Sequence, residues 1–354
     1  MERPEGEVRE PAAEVREPAA ETYEAAEGIT GVDTLMAGHP RVTSAYLLHG
    51  TEPTLVETGP ATSVPAVLAG LRALGLGPRD LAHIVVTHIH LDHAGGVGTL
   101  ARRFPRALVW VHDRGAPHLA DPTKLVASAG RVYGEEVLRR VFGPVEPVPA
   151  DRLRSVSDGD RIRLGDRWLE VLYTPGHASH HVALADSLSG AVFTGDALGI
   201  HLPEVRVLRP ATPPPEVDVE LGVDSIRRIR ERAGSLLLFS HFGPVREVDE
   251  LCELAERRLR RWADVVRGAL DETEDLDRVV ELLERATADE LRKAPPSADP
   301  ERYEVLSSVR MNAMGLVRYW KKRWEREARE AGEPERSPDN APGPQGPPQP
   351  PLGP

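Results

Sequence analysis

The sequence predicts an α/β (α+β) body followed by an α-helical region, and three observations carry that expectation. From Ile29 to Pro244, short apolar runs bounded by Gly and Pro alternate with stretches of helical spacing. Several of those runs end directly in histidine or aspartate. After Pro244 the texture changes to long stretches rich in Glu and Arg with helical periodicity.

Residues 1–27 hold a tandem heptad, Val8–Glu14 and Val15–Glu21, but each copy contains proline and its apolar positions are only Val and Ala. Such a segment buries too little to offset its ordering entropy, so 1–27 is expected to be a disordered acidic tail. Apolar runs at Val32–Met36, Val42–Leu48 and Thr54–Val56 read as an antiparallel meander, the last ending in Glu57-Thr58-Gly59. Val64, Val67, Leu68, Leu71 and Leu74 fall at helical spacing, and Gly75 closes that helix. A buried strand at His83–Thr87, a short helix at Ala94–Phe104 and a strand at Ala107–His112 follow. An irregular stretch, 113–158, has a helical centre at Leu125–Phe142. Next come a hairpin (Arg161–Leu164 and Trp168–Tyr173, turning at Gly165-Asp166) and strands at Val182–Ala185 and Ala191–Thr194. A proline-rich loop, a helix at Val217–Ala233 and a strand at Leu236–Phe239 complete a body spanning 28–244. Helices at Glu247–Leu270, Leu276–Leu291 and Glu301–Ala328 make up the region 245–331, and 332–354 reads as a disordered Pro-rich tail.

The 354 residues carry a formal charge of −12, much of it in the termini: 1–27 holds nine Glu against three Arg. The body is only mildly acidic, so no basic face for nucleic acid is expected. The one cysteine, Cys252, excludes an internal disulfide and fits a reducing compartment. It lies in the amphipathic stretch Val248–Leu254, which favours a packed thiol over a nucleophile. No cationic, apolar leader opens the sequence and no stretch is long enough to cross a bilayer. A cytoplasmic protein acting on a small molecule is expected, without membrane or nucleic-acid partner and with dimerisation left open.

The chemistry concentrates in Thr87-His88-Ile89-His90-Leu91-Asp92-His93-Ala94-Gly95-Gly96, directly after Ile84-Val85-Val86. Three imidazoles and a carboxylate within six residues read as transition-metal ligands displayed at the end of a strand. Downstream, His177, Asp196 and His241 each follow a predicted strand, and loops leaving one edge of a fold can converge. Five histidines and two aspartates suit two divalent ions sharing a bridging carboxylate. A nitrogen-rich set without thiolate points to zinc, with Fe or Mn also compatible.

In order and spacing, Thr87–His93, Pro175-Gly176-His177, Thr194-Gly195-Asp196 and Ser240-His241 resemble the metallo-β-lactamase superfamily, over about Ile29–Pro244. The resemblance implies a four-layer αβ/βα sandwich with the site on one edge. It implies that His88, His90 and His177 hold one metal, that Asp92, His93 and His241 hold the second, and that Asp196 bridges. It also implies that a metal-bound hydroxide attacks a carbonyl or phosphoryl centre, with Asp92 relaying the proton. The chain is most similar to glyoxalase II-like and lactonase-like hydrolases, which implies a small ester, thioester or lactone as substrate. Thioester-cleaving glyoxalases usually carry three consecutive histidines where this chain has His88-Ile89-His90, which argues against a true glyoxalase II. Glu57 stands where many members have Asp and is expected to pin the neighbouring loop.

Candidate substrate contacts are Lys124 and Tyr133, in the irregular stretch that lies between strands, together with His181 and Asn312. Tyr133 could donate to a developing oxyanion. One of His180 and His181 is expected to support a ligand imidazole, because a strand starts there and the two point to opposite faces. The alternative reading is a non-haem iron oxidoreductase of the persulfide dioxygenase or flavodiiron kind. The full second ligand set argues against the former, and the lack of a flavodoxin-like segment against the latter. A nuclease would need a basic face and a larger insertion than the 45 residues between Asp196 and His241. A β-lactamase would need a secretory signal.

Overall fold

The computed structural model describes residues 21–202, 207–291 and 308–331. The tandem heptad up to residue 20, the first part of the last expected helix (301–307) and the tail 332–354 lie outside them.

Two sheets face each other. The first has seven strands in chain order: β1 (Thr22–Ala26), β2 (Ile29–Asp33), β3 (Ser44–Leu48), β4 (Thr54–Val56), β5 (His83–Val85), β6 (Leu108–His112) and β7 (Leu153–Val156). Its first four strands form the expected antiparallel meander, and β4 to β7 run parallel. The second sheet comprises β8 (Arg161–Leu164), β9 (Arg167–Tyr173), β10 (Val182–Asp186), β11 (Val192–Gly195), β14 (Leu237–Phe239) and β15 (Gly243–Val245). A separate two-stranded ladder pairs β12 (Ile200–Leu202) with β13 (Val207–Arg209). Local pattern matches position in the sheet. At the edge, β8 alternates exposed and buried residues, whereas β10, flanked and covered on both faces, is buried at all five positions.

Tyr46, Val56 and Val85 of the first sheet pack against Val171, Leu184, Phe193 and Leu238 of the second. The Tyr46 hydroxyl donates to the Phe239 carbonyl at 2.5 Å, tying the sheets together. A buried ion pair does the same at another corner. Arg167 on β9 holds Asp186 (Nε to Oδ1, 2.9 Å) and also donates to the Gly28 and His49 carbonyls of the first sheet.

Helices α1 (Val64–Ala73), α2 (Leu91–Ala94) and α3 (Val97–Arg103) lie along the first sheet, with Val67, Leu71, Val97 and Leu100 in its outer core. The 113–158 stretch contributes α4 (Ala116–Ala120), α5 (Thr123–Tyr133), α6 (Glu135–Val137) and a π-helical turn at Leu138–Phe142. The second sheet is covered by α7 (Val219–Arg232), α8 (Val248–Glu272), α9 (Leu276–Leu291) and α10 (Val309–Glu330). This is the expected four-layer αβ/βα sandwich. Leu259, Trp262, Leu316 and Trp320 of the long helices share one core with Val192, Leu237 and Phe239, so the change of texture at 244/245 falls inside a continuous core. No described helix is long and apolar enough to cross a membrane.

Four expectations need correction. Residues 22–26, expected in the disordered tail, form β1, where the Tyr23 hydroxyl pairs with Ser44 Oγ at 2.6 Å. The stretch 113–158 hides β7, parallel to β6. Strands β12, β13 and β15 have three residues each, too few to show a period. The helix expected at Ala94–Phe104 is two helices separated at Gly95-Gly96. A Cβ on Gly95 would lie 2.3 Å from the Leu91 carbonyl and 3.0 Å from Pro60 Cα, so only glycine fits this approach.

Candidate metal centre

Parallel strands deliver the site. On the first sheet, β4 and β5 end side by side, presenting Glu57 and, three residues beyond β5, His88. On the second, β9, β11 and β14 run in one direction, because β10 is antiparallel to both β9 and β11 and β14 is parallel to β11. Their ends supply His177, Asp196 and His241, and α2 carries Asp92 and His93 in a single turn.

Seven side chains converge in two groups: His88, His90 and His177, and Asp92, His93, Asp196 and His241. Donor atoms about 2.0–2.1 Å from one centre at tetrahedral angles lie ~3.3 Å apart. The second group matches that spacing closely. His93 Nε2 is 3.2 Å from Asp196 Oδ1, 3.5 Å from Asp92 Oδ2 and 3.1 Å from His241 Nε2. His241 Nε2 lies 3.4 Å from Asp196 Oδ1 and 3.3 Å from Asp92 Oδ2. In the first group His177 Nε2 is 2.8 Å from His90 Nδ1, and Asp196 Oδ2 stands 3.5 Å from His177 Nε2 and 4.0 Å from His88 Nε2. The Asp196 carboxylate therefore turns one oxygen to each group.

The far side of each ring decides where its lone pair points. Glu57 Oε1 accepts the Thr87 hydroxyl hydrogen at 2.5 Å, so Thr87 Oγ1 can only accept from His88 Nδ1 at 3.0 Å. That leaves His88 Nε2 as a bare acceptor, buried without a hydrogen-bond partner. His177 Nδ1 donates to the Ala211 carbonyl at 2.9 Å and His241 Nδ1 to the Val42 carbonyl at 3.2 Å. His93 Nδ1 faces Glu57 Oε2 at 3.4 Å. In His88, His177 and His241 the Nε2 lone pair is therefore aimed at the shared centre. Only a cation satisfies several inward-pointing lone pairs and two carboxylates at once, and the donor set fits divalent metal.

Electrostatics agree. Burial and neighbouring imidazoles hold His88 and His90 well below the ordinary histidine range, so both are neutral. Burial would also keep His93 neutral, but Asp196, Asp92 and Glu57 outweigh it and push its pKa well up. Burial would raise the carboxyls of Asp92 and Asp196, yet the surrounding histidines hold both below the usual range. A divalent cation among these donors would take over the compensation of the two buried carboxylates that His93 otherwise provides.

A sequence profile of the metallo-beta-lactamase superfamily matches residues 38–241, which contain every one of these donors. The chain belongs to the metallo-beta-lactamase superfamily. A metallo-beta-lactamase fold-containing protein of Sulfurisphaera tokodaii is 29% identical over 61% of this chain and 79% of its own length. A hydroxyacylglutathione hydrolase of Synechococcus is 34% identical over 43% of this chain, a match spanning 48% of that enzyme. The crystal structure of an archaeal superfamily protein from Sulfolobus tokodaii superposes with a TM-score of 0.59 at 23% identity, covering 84% of this chain and 98% of that one, a likeness of fold. The chain is thus a superfamily hydrolase in kind, with a His and Asp cluster suited to divalent metal.

Beside His90 of this superfamily site lies a cavity of about 310 Å³, within the range of small-ligand pockets. Tyr133 and Lys124 line it, as do His180, Arg131 and Pro213–Pro215. Burial, with Asp92 and Asp196 nearby, raises the Tyr133 phenol, which stays protonated and able to donate. The other two candidate substrate contacts do not reach the cavity. His181 is fully buried behind the site: its Nε2 accepts the Asp196 backbone N–H at 3.0 Å, and Nδ1 pairs with Thr174 Oγ1 at 2.8 Å. It supports the backbone of Asp196 rather than, as expected, a ligand imidazole. Asn312 is buried in α10, where its Oδ1 accepts from Thr212 N at 2.6 Å and its Nδ2 donates to the Ser308 carbonyl at 3.2 Å. Glu57 pins Thr87, as expected, and reaches His93 as well. Sequence reasoning missed the proline wall, whose only trace was its density of prolines, and the Ala211 and Val42 carbonyls, which leave no trace in side-chain identity.

Proposed function

We propose that this protein hydrolyses small esters, thioesters or lactones with two divalent ions, zinc ahead of Fe or Mn. One ion would be held by His88, His90 and His177, the other by Asp92, His93 and His241, with Asp196 between them. The observation that carries this reading is the Asp196 carboxylate, with Oδ2 toward the first group and Oδ1 toward the second. Ions held there would supply a water acidified to roughly neutral pH and a Lewis acid for the scissile carbonyl.

The chain's own residues do the rest. Asp92 is the more open of the two donor carboxylates, its side chain 18% exposed against 5% for Asp196. It accepts the proton of the attacking water and returns it to the leaving group. Tyr133, protonated and on the cavity wall, donates to the developing oxyanion. Lys124 and Arg131, exposed on α5 at the same cavity, favour a substrate with an anionic end.

The completeness of the second group supports hydrolysis over oxidation at a single iron. Ile89 between His88 and His90 keeps esters and lactones ahead of a dedicated glutathione thioesterase. The test is metal quantification on the purified protein, followed by a panel of thioesters, lactones, phosphodiesters and β-lactams. Turnover of an ester, thioester or lactone that stops on chelation is expected. A single bound iron with oxygen uptake, or activity untouched by chelation, would overturn the proposal.

A further inference from the structure

The last described helix reaches the centre through one peptide plane. Asn312 Oδ1 accepts the Thr212 backbone N–H at 2.6 Å and the Thr212 hydroxyl at 2.9 Å. The carbonyl of the same peptide unit, Ala211 O, accepts from His177 Nδ1 at 2.9 Å. A peptide unit is planar, so fixing its N–H end fixes the direction of its C=O end. Asn312 and Thr212 are 3% and 2% exposed, too deep for water to take over either role freely.

Two further observations place α10 as the seat of this contact. A Cβ on Gly315 would lie 1.9 Å from the Thr212 carbonyl, so the helix approaches the loop as closely as glycine permits. Arg318 Nε and Lys322 Nζ each donate to the Pro215 carbonyl at 3.2 Å. Asn312, Gly315, Arg318 and Lys322 fall on one stripe of the helix, spaced for a single face. Behind His177, Tyr319 and Arg323 hold Glu220 at the start of α7, and the Asp218 N–H donates to the Gly176 carbonyl at 2.9 Å.

We propose that Asn312 is a positioning residue for His177, acting through the Ala211–Thr212 peptide to aim Nε2 at the first metal group. This rests on the metal reading above, and the experiment separates the two. Zinc affinity is measured by chelator competition on the full-length protein in two backgrounds. His241→Ala leaves only the His88, His90 and His177 group intact, and His177→Ala leaves only the Asp92, His93 and His241 side. Adding Asn312→Ala is expected to weaken zinc roughly 10–100-fold in the first background, as losing the partner of a ligating imidazole does. In the second it should change little. Leu316→Ala, which removes a core side chain of α10 that can make no hydrogen bond to Thr212, serves as the destabilised control. It should leave both affinities within a few-fold of their starting values.

Equal zinc affinity with and without Asn312 in the first background would overturn the proposal. So would a Leu316→Ala loss as large as that of Asn312→Ala, which would mean general loosening. Failure of both backgrounds and of the parent protein to bind zinc would overturn the metal reading itself, and this inference with it.

Discussion

The two halves of the donor set are held in opposite ways. His88, His90, Asp92 and His93 lie within six residues, at one strand end and one helical turn, and Glu57 of the same sheet braces both ends of the run. His177, Asp196 and His241 come from three strands of the other sheet and lean on Ala211, His181 and Val42. The compact half needs only its own strand and the neighbouring one that carries Glu57. The dispersed half needs two sheets and an outer layer in register.

Removing Asp196 should break this contrast most completely, because its carboxylate serves both groups. Asp196→Ala is expected to lose bound metal and at least roughly 100-fold in turnover, more than a supporting contact would cost. Elemental analysis alongside kinetics reads both, and retention of both would mean the bridging role is misassigned. Next in size is the alignment of the sheets. Arg167→Ala strands Asp186 in the interior, with an expected stability loss of about 3–5 kcal/mol in denaturant unfolding. A loss below about 1 kcal/mol would show that the sheets align without this pair.

The same pair has a pH signature. Burial would raise the Asp186 carboxyl, but Arg167 and Ser189 hold it below the usual range. Its folded pKa is therefore lower than its unfolded one. The stabilisation is fully present above about pH 4 and is lost as pH falls through the folded value. Arg167→Ala should flatten that part of the stability profile, and an unchanged profile would assign the acid sensitivity elsewhere.

The brace of the compact half comes third. Glu57→Gln keeps the acceptor for Thr87 but weakens the contact to His93, so metal affinity should fall roughly 10-fold. A larger loss than that of Asn312→Ala in matched backgrounds would reverse the contrast drawn here. Lys124→Ala should do least, raising KM a few-fold for an anionic substrate and leaving kcat and a neutral substrate unchanged. A fall in kcat instead would move Lys124 into the chemistry.

Much of this was legible in the sequence because chemistry and topology coincide. His88 to His93 is a local pattern, and His177, Asp196 and His241 each follow an apolar run that proved to be a strand or its immediate approach. The meander, α1, α7 and the long helices carry enough turns or alternations to declare themselves. Strand β1 did not, because an edge strand with one covered face needs few apolar residues and Thr22–Ala26 continues an acidic repeat. Nor did β7, whose Leu153-Arg154-Ser155-Val156 has too little alternation to separate from a loop. His181 and Asn312 were singled out for the wrong contact because their partners, Asp196 and Thr212, lie 15 and 100 residues away. Polarity flags such a residue, but only the fold says what faces it.

The order in which the chain is made gives the shared outer core a consequence. Every donor up to His241 has been synthesised before α10, whose Leu316 and Trp320 pack into the core that also holds Phe239. A nascent or prematurely terminated chain would thus display a complete ligand inventory on an unsealed sheet, with bare apolar surface attractive to chaperones and proteases. Translation through α10 then covers that surface.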